Sequence, residues 1–370
     1  MPGLAGNPIC DARSPAFRRS CKVASMDEKD RLLWTYLQNG IPLVRNPFDQ
    51  LAAKTGLDVA EVFVRIQHLK REGVLTEITP VWDPRKFHYQ SAWVAMRFDT
   101  PDLISKTGSF TDHPGVSYAC ERGDAFNLWF FIAVPVEHDL ELHVRCLERM
   151  SGAEQTLFLS LRTLYKGTDL LNVLDGRTFL PTGERFDAWK EGRDPGLTPE
   201  EIEIIRGSEH FPLTDEPYKK LAGELGLTED RVMERMKSLV QRGCLRRIGS
   251  VPASVETGTK TIVVWQIPEE KAERIGSAVA RFNEVLYADQ RTAYEAFPYS
   301  FYTVLRPGNG EELGETLRRI GKRIGEWPRK PLVTLREFKK SPPRYYSKEL
   351  EAWWKQHHAA VETAFDHHGT

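Results

Sequence analysis

Three short stretches near the start of the chain carry apolar residues at helical spacing. Arg31–Leu37 and Pro47–Thr55 read as amphipathic helices, and Val59–Glu72 sets Val62, Ile66 and Leu69 on one face. A strand-like run, Leu75–Trp82, follows. Helices and strand in this order predict a winged helix-turn-helix, with Gly56 and Gly73 standing where left-handed C-caps end the second and third helices. Beyond the wing the period drops to two, first in Ser91–Phe98. Strands are predicted over Val116–Glu121, Leu128–Val134 and Leu157–Tyr165, with a helix near Glu137–Met150.

The whole pattern then recurs. Pro42 and Pro212 stand 170 positions apart, and the same shift pairs Leu51 with Leu221, Ala52 with Ala222, Gly56 with Gly226, Val62 with Val232, Leu69 with Leu239 and Gly73 with Gly243. A fixed offset held over so many identities marks a duplicated module. The second copy offers strands at Lys260–Gln266, Val285–Arg291, Ser300–Leu305 and Leu332–Lys339, and a helix near Glu311–Ile324. The order suits a β-α-β-β-α-β sandwich after each wing. The expected division is a disordered extension over 1–25, with Met26 opening the first patterned segment; a winged helix-turn-helix over 26–84; a ferredoxin-like domain over 85–168; and a linker over 169–196, rich in Gly, Pro and charge. A second winged helix follows over 197–252 and a second ferredoxin-like domain over 253–345. A closing helix, Ser347–His367, lies within 346–370.

Charge narrows the function. With 51 Lys and Arg against 52 Asp and Glu, the formal net charge is −1, which supplies no general field for nucleic acid. The third helices open with Asp58 and Glu61 in one copy and Thr228, Glu229 and Asp230 in the other. Acids there suit the helix dipole and repel phosphate, so DNA is not an expected partner. No stretch approaches the roughly 20 apolar residues that span a bilayer. The 5 cysteines show neither Cys-x-x-Cys nor metal-ligand spacing, which points to a reducing cytoplasm. No nicotinamide, pyridoxal or metal motif is present, and open sheet edges are places where further copies of the chain can join.

Winged helix followed by ferredoxin-like domain resembles the Lrp/AsnC regulators, whose segment after the wing is similar to Asp83-Pro84-Arg85-Lys86. The fold class expected is therefore α+β, a tandem repeat of an Lrp/AsnC-type module. A narrower resemblance lies further on. The runs His113-Pro114-Gly115-Val116-Ser117-Tyr118, Glu121-Arg122 and Phe126-Asn127-Leu128-Trp129-Phe130 resemble one subunit of siroheme decarboxylases. Phe297-Pro298-Tyr299-Ser300-Phe301-Tyr302-Thr303, Leu335-Arg336-Glu337-Phe338-Lys339-Lys340 and Arg344-Tyr345-Tyr346 resemble the partner subunit. The resemblance implies a fused decarboxylase, a carbon–carbon lyase that turns two acetate side chains of siroheme into methyls, giving 12,18-didecarboxysiroheme for haem d1 or alternative haem synthesis. The iron tetrapyrrole is then substrate, and no other cofactor is required.

Such a guest needs an apolar slot, cations for its carboxylates and a proton donor. Phe126, Trp129, Tyr299 and the aromatic residues beside them are candidate walls; Arg122 and Arg291 are candidate carboxylate clamps; His113 is the first choice as acid or as axial neighbour of the iron. Tyr118, Tyr287, Lys166, Arg336 and Lys339 complete the candidates. Each has a plainer alternative: core packing for the aromatics, surface ion pairs for the arginines, and an exposed turn before Pro114-Gly115 for His113. Two departures from the resemblance stand in the second copy. Arg306-Pro307-Gly308 replaces an expected histidine and glycine, and Phe282-Asn283-Glu284-Val285 holds no counterpart of His113, which implies one principal site or two unequal ones. The other functional classes are a regulator sensing haem or an amino acid and a tetrapyrrole carrier without turnover.

Overall fold

The computed structural model describes residues 26–83, 86–98, 106–166, 185–187, 196–252, 261–305, 310–341 and 343–358. Pro84, Arg85, Arg306-Pro307-Gly308, most of the expected linker and everything beyond 358 lie outside them, as does the N-terminal 1–25 segment.

In the first copy, α1 (Glu28–Asn39), α2 (Pro47–Thr55) and α3 (Val59–Arg71) lead into the wing β1 (Leu75–Trp82). There follow β2 (Tyr89–Arg97), α4 (Gly108–Asp112), β3 (Val116–Arg122), β4 (Leu128–Pro135), α5 (Leu140–Ser151), β5 (Gln155–Leu159), β6 (Leu161–Lys166) and β7 (Arg185–Asp187). The second copy comprises α6 (Pro199–Gly207), α7 (Pro217–Leu225), α8 (Glu229–Gln241), the wing β8 (Leu245–Pro252), β9 (Thr261–Trp265), α9 (Glu269–Val279), β10 (Val285–Arg291), β11 (Phe301–Leu305), α10 (Gly310–Ile324) and β12 (Arg329–Leu332). The chain closes with β13 (Thr334–Lys340) and α11 (Lys348–His357).

Local chemistry sets these boundaries. Asp58 and Thr228 accept from the backbone N–H of Glu61 and Arg231 and so cap α3 and α8. Gly56 and Gly226 end α2 and α7 at φ 63° and 67°, in the left-handed region where a Cβ would be strained. The apolar stripe Val62, Ile66 and Leu69 is buried, as its spacing predicts.

The two winged helices are not separate bodies. Their wings pair antiparallel, Thr79 opposite Gly249 and Pro80 opposite Ile248, and both helix sets share one apolar core. Arg45 of the first copy reaches Glu229 and Asp230 at the start of α8.

The ferredoxin-like parts exchange strands. The first sheet runs β13-β3-β4-β2-β5 and the second β12-β9-β11-β10-β6-β7. Each keeps the four-strand ferredoxin order and adds a strand from the other copy: β6 leaves the first copy to pair with β10, and β13 leaves the second to pair with β3. Leu157–Tyr165 and Leu332–Lys339 therefore do not form single strands. Each breaks, at Ser160 and at Val333, and its second half crosses to the other sheet. The buried alternation Leu157, Leu159, Thr163, Tyr165 stays in phase through the break, which is why periodicity cannot reveal it. The expected linker also contributes β7, paired with β6.

The sheets pack face to face, burying Cys120, Phe126, Trp129, Leu157, Phe297 and Tyr302 between them. Helices cover the outer faces, α4, α5 and α11 on the first and α9 and α10 on the second. A Cβ on Gly276 of α9 would lie 2.3 Å from the ring of Tyr165 on the exchanged β6. Gly276→Ala should therefore cost about 1–3 kcal/mol through overpacking. The check is the urea midpoint, and Tyr165→Leu in the same background should recover part of the loss.

Candidate functional site

The layer between the sheets holds two related constellations. Tyr118, Cys120 and Arg122 alternate along β3; Tyr287, Asp289 and Arg291 alternate along β10, 169 positions later. Cys120 lies opposite Trp129 and Asp289 opposite Tyr302 in the sheet registers, so the two copies present Arg-Cys-Trp and Arg-Asp-Tyr at equivalent places. Each arginine sits over its aromatic neighbour, Arg122 at 6.0 Å from the Trp129 ring and Arg291 at 5.5 Å from the Tyr302 ring. Each also donates to the carbonyl just before the other copy's strand break. Arg122 Nη1 reaches Leu332 O at 3.2 Å, and Arg291 Nη1 reaches Leu159 O at 3.0 Å.

Their charges are handled differently. Arg291 forms a two-pronged pair with Asp289, at 2.7 Å and 2.9 Å. Arg122 is 3% exposed and bonds Thr334 Oγ1 at 2.7 Å, but among the described residues no carboxylate stands within ion-pair distance of it. Its Nε is buried without an acceptor. The nearby acids are engaged elsewhere: Asp124 with Lys330, Glu121 with Arg336, and Glu337 with the Tyr118 hydroxyl. A buried guanidinium facing a thiol rather than a carboxylate has a charge that an entering anion could match.

Aromatic side chains from both copies meet beside it. Phe297 inserts against Phe126 at 6.0 Å and Trp129 at 5.7 Å, with Tyr299 behind it at 5.0 Å and the Lys330 ammonium over both rings. Trp129 donates to Phe126 O at 2.7 Å. The 293–300 segment that carries Phe297 walls two clefts. One, of about 540 Å³, is lined by Arg162, Gln266, Gln290, Arg291, Pro298 and Ser300. The other, of about 520 Å³, is lined by Gln155, Thr156, Leu157, Tyr294, Glu295 and Ala296.

The expected residues thus divide. Arg122, Arg291, Phe126, Trp129 and Tyr299 come together between the sheets, and Tyr287 shares the face of Arg291. Arg336 is half-exposed and 3.9 Å from Glu121. Lys339 ties the exchanged β13 to the first copy, donating to Thr111 O at 2.7 Å and His113 O at 2.9 Å, and burial pushes its ammonium down to about 8. Lys166 ends β6 and its side chain is outside the description.

His113 stands in the helix layer behind the first sheet. It is fully buried rather than on an exposed turn. Gly115, where a Cβ would meet Ala133 O at 2.7 Å, lets its N–H donate to His113 Nδ1 at 3.0 Å. That places the His113 proton on Nε2, which is 3.0 Å from His143 Nδ1; His143 Nε2 in turn is 3.4 Å from His138 Nδ1. His138 Nε2 ends the chain 3.4 Å from Glu351 on α11, and Trp353 and Trp354 of α11 stack on His143 at 5.2 Å and 4.3 Å. Both nitrogens of His113 are therefore occupied.

Burial, then neighbouring His138, pushes His143 down to about 3; burial, His143 and Lys339 hold His113 well below the usual imidazole range. These rings are neutral when folded, whereas the unfolded chain takes up protons below about 6.5. Stability should be full above that pH and fall as the pH drops from about 6.5 toward about 3. Urea midpoints at pH 7.5 and 5 should show the fall, and His143→Phe should flatten it; an unchanged slope in that variant would contradict the assignment.

Sequence reasoning missed Cys120, Asp289, Lys330 and Thr334. The first two were detectable, since shifting the repeat by one residue after the wings aligns Tyr-x-Cys-x-Arg with Tyr-x-Asp-x-Arg. Thr334 reaches the first copy's residues only through the strand exchange, and Lys330 only through the packing of β12, which stays in its own sheet, against the first copy.

The family model described as "Siroheme decarboxylase NirDL-like HTH domain" matches residues 30–75 and 204–246, and that described as "AsnC-like ligand binding domain" matches 256–339. The siroheme decarboxylase of Hydrogenobacter thermophilus is 33% identical over 340 residues, covering 89% of this chain and 98% of that one. The siroheme decarboxylase NirDL subunit of Paracoccus denitrificans is 26% identical over 270 residues, covering 72% and 81%. The crystal structure of the siroheme decarboxylase NirDL superposes with a TM-score of 0.68 at 30% identity, covering 90% of this chain and 100% of that one. The same protein has been solved in co-complex with an iron-uroporphyrin III analogue, with the same TM-score of 0.68.

Proposed function

Because the chain belongs to the siroheme decarboxylase family, we propose that the layer between its exchanged sheets removes carbon dioxide from two acetate side chains of siroheme, giving 12,18-didecarboxysiroheme for haem d1 or alternative haem synthesis. The observation that carries the reading is the buried Arg122, a cation with no carboxylate partner among the described residues and with an aromatic wall beside it. Siroheme is a flat iron macrocycle edged by carboxylates. Phe126, Trp129, Phe297 and Tyr299 supply apolar contact for its face, Arg122 takes one carboxylate, and the clefts flanking the 293–300 segment give room to the edge groups. Arg162 and Arg291 line one of these clefts, each already paired with an acid, Glu269 and Asp289, so the unmatched cation of the layer is Arg122 among the described residues.

In this reading the reacting acetate loses its hydration as it enters the dry layer, and breaking its carbon–carbon bond discharges it as neutral carbon dioxide. The electron pair left behind is shared with the macrocycle, which serves as the electron sink. The enzyme is a carbon–carbon lyase with the iron tetrapyrrole as its substrate.

The winged helices serve as scaffold. Arg45 covers Glu229 and Asp230 at the start of α8, Arg65 of α3 is bound to Asp27, Asp30 and Glu61, and Arg231 and Arg235 of α8 share Glu200. Side chains that would meet phosphate are thereby consumed within the chain. No described helix is long and apolar enough to cross a membrane, and Cys120, Cys146 and Cys244 are free thiols, which supports a cytoplasmic enzyme. The test is anaerobic incubation of the purified protein with siroheme followed by mass analysis. The expected product is lighter by two carbon dioxide units; siroheme recovered unchanged would refute the reading.

A further inference from the structure

Two buried side-chain atoms in the layer between the sheets have no hydrogen-bond partner among the described residues: Arg122 Nε and the Tyr302 hydroxyl. Tyr302 is 4% exposed and lies within the apolar cluster that contains Phe126, Trp129 and Phe297. A phenylalanine would fill the same space without burying an unmatched polar atom, so packing does not account for the hydroxyl. The equivalent place in the first copy is Trp129, whose N–H is already given to Phe126 O. Of these two equivalent positions, only Tyr302 has a proton it is not already sharing.

Resting on the decarboxylase reading above, we infer that Tyr302 is the catalytic acid, delivering the proton that takes the place of the departing carboxylate. The two copies then divide the work: Arg122, with no carboxylate paired to it among the described residues, holds a carboxylate, and Tyr302, beside an arginine already matched by Asp289, supplies the proton. In the step itself the bond between the acetate methylene and its carboxylate breaks, carbon dioxide leaves, and the electron pair stays on the methylene carbon, conjugated with the macrocycle. The Tyr302 O–H bond breaks and its proton forms the third C–H bond of the new methyl. The phenolate keeps the electron pair, with the Arg291 guanidinium 5.5 Å from its ring, and recovers a proton from water before the next turnover. One proton is consumed for each carbon dioxide released, and no oxidant or reductant enters.

Burial first holds the phenol far above its ordinary pKa, so it carries its proton throughout the neutral range. His113 cannot take the role where it stands, because Gly115 and His143 occupy its nitrogens.

The experiment compares the full chain with Tyr302→Phe under anaerobic conditions, following siroheme binding by absorbance, decarboxylation by mass and thermal melting. The expected result is a loss of about 100-fold or more in kcat, with siroheme still bound and the melting temperature unchanged or raised, since an unmatched hydroxyl has been removed. A Tyr302→Phe enzyme that decarboxylates at the unaltered rate overturns the inference while leaving the decarboxylase reading intact. A wild-type chain that binds siroheme and releases no carbon dioxide overturns the decarboxylase reading itself, and the inference falls with it.

Discussion

Arg122→Gln should reduce siroheme decarboxylation by about 30-fold or more, and Cys120→Asp should come close to the same loss while keeping the arginine. The first expectation follows from removing one side of a buried charge-assisted contact, which costs about 2–5 kcal/mol, or roughly 30-fold to several thousandfold. The second uses the chain's own second copy as the control. Asp289 occupies the place equivalent to Cys120 and already neutralises Arg291. An aspartate at 120 should pair with Arg122 in the same way, and a guanidinium already matched has little left to offer a substrate carboxylate. The two variants differ in what else they change: Arg122→Gln gives up the bond to Thr334, whereas Cys120→Asp keeps it and should fold at least as well as wild type. Siroheme titration and single-turnover rates check both. A Cys120→Asp enzyme with normal affinity would show that substrate does not compete for this cation.

Asp289→Ala should be among the most destabilising single changes in the second sheet. Asp289 is buried, 2% exposed, and the Arg291 side chain is mostly enclosed, 11% exposed, so truncating the acid leaves Arg291 charged and largely desolvated without its partner. Breaking such a pair costs about 3–5 kcal/mol, a large part of the 5–15 kcal/mol that holds a typical domain together. The damage should spread to the first sheet, because Arg291 also holds Leu159 O at the point where the chain crosses over. Urea denaturation followed by tryptophan fluorescence reports on both sheets, since Trp129 and Trp265 are buried in the first and the second. A midpoint within error of wild type would mean that the arginine finds another partner. The double replacement Asp289→Leu with Arg291→Met should recover much of the loss, because it removes both desolvated charges together.

Part of the candidate site was legible because it sits on period-two strands, Arg122 on β3, Trp129 on β4 and Arg291 on β10, while Phe126 and Tyr299 stand in the aromatic runs just before β4 and β11. Arg122, Arg291, Phe126, Trp129 and Tyr299 were readable as candidate clamps and walls, and the structure brings them into one layer. His113 shows the opposite case. Its turn-forming neighbours Pro114-Gly115 imply exposure, but α11, more than 200 positions away in the chain, covers it with Trp353 at 4.1 Å. Burial of this kind arises from distant parts of the chain, and no local pattern records it. Lys339 reads as a cation for substrate and instead caps backbone carbonyls of the other copy, again because the strand carrying it has changed sheets.

Duplication, the winged helices and the alternating strands are properties of short windows: a helix stripe needs about two turns, a cap four residues, a strand face every second residue, and each is written where it acts. Which sheet a strand joins is a different kind of fact. β6 keeps an alternation that satisfies either sheet equally well, β13 is exposed along much of its length, and the choice falls to the close approach of Gly276 to Tyr165, the bonds from Arg122 and Arg291 to the crossover carbonyls, and the anchoring of Lys339. The same long-range packing matches Arg291 with an acid and leaves its twin, the buried Arg122, without one among the described residues. The free energy of burying a charge depends on everything within a few ångströms, and those neighbours are assembled only when the two copies interlock.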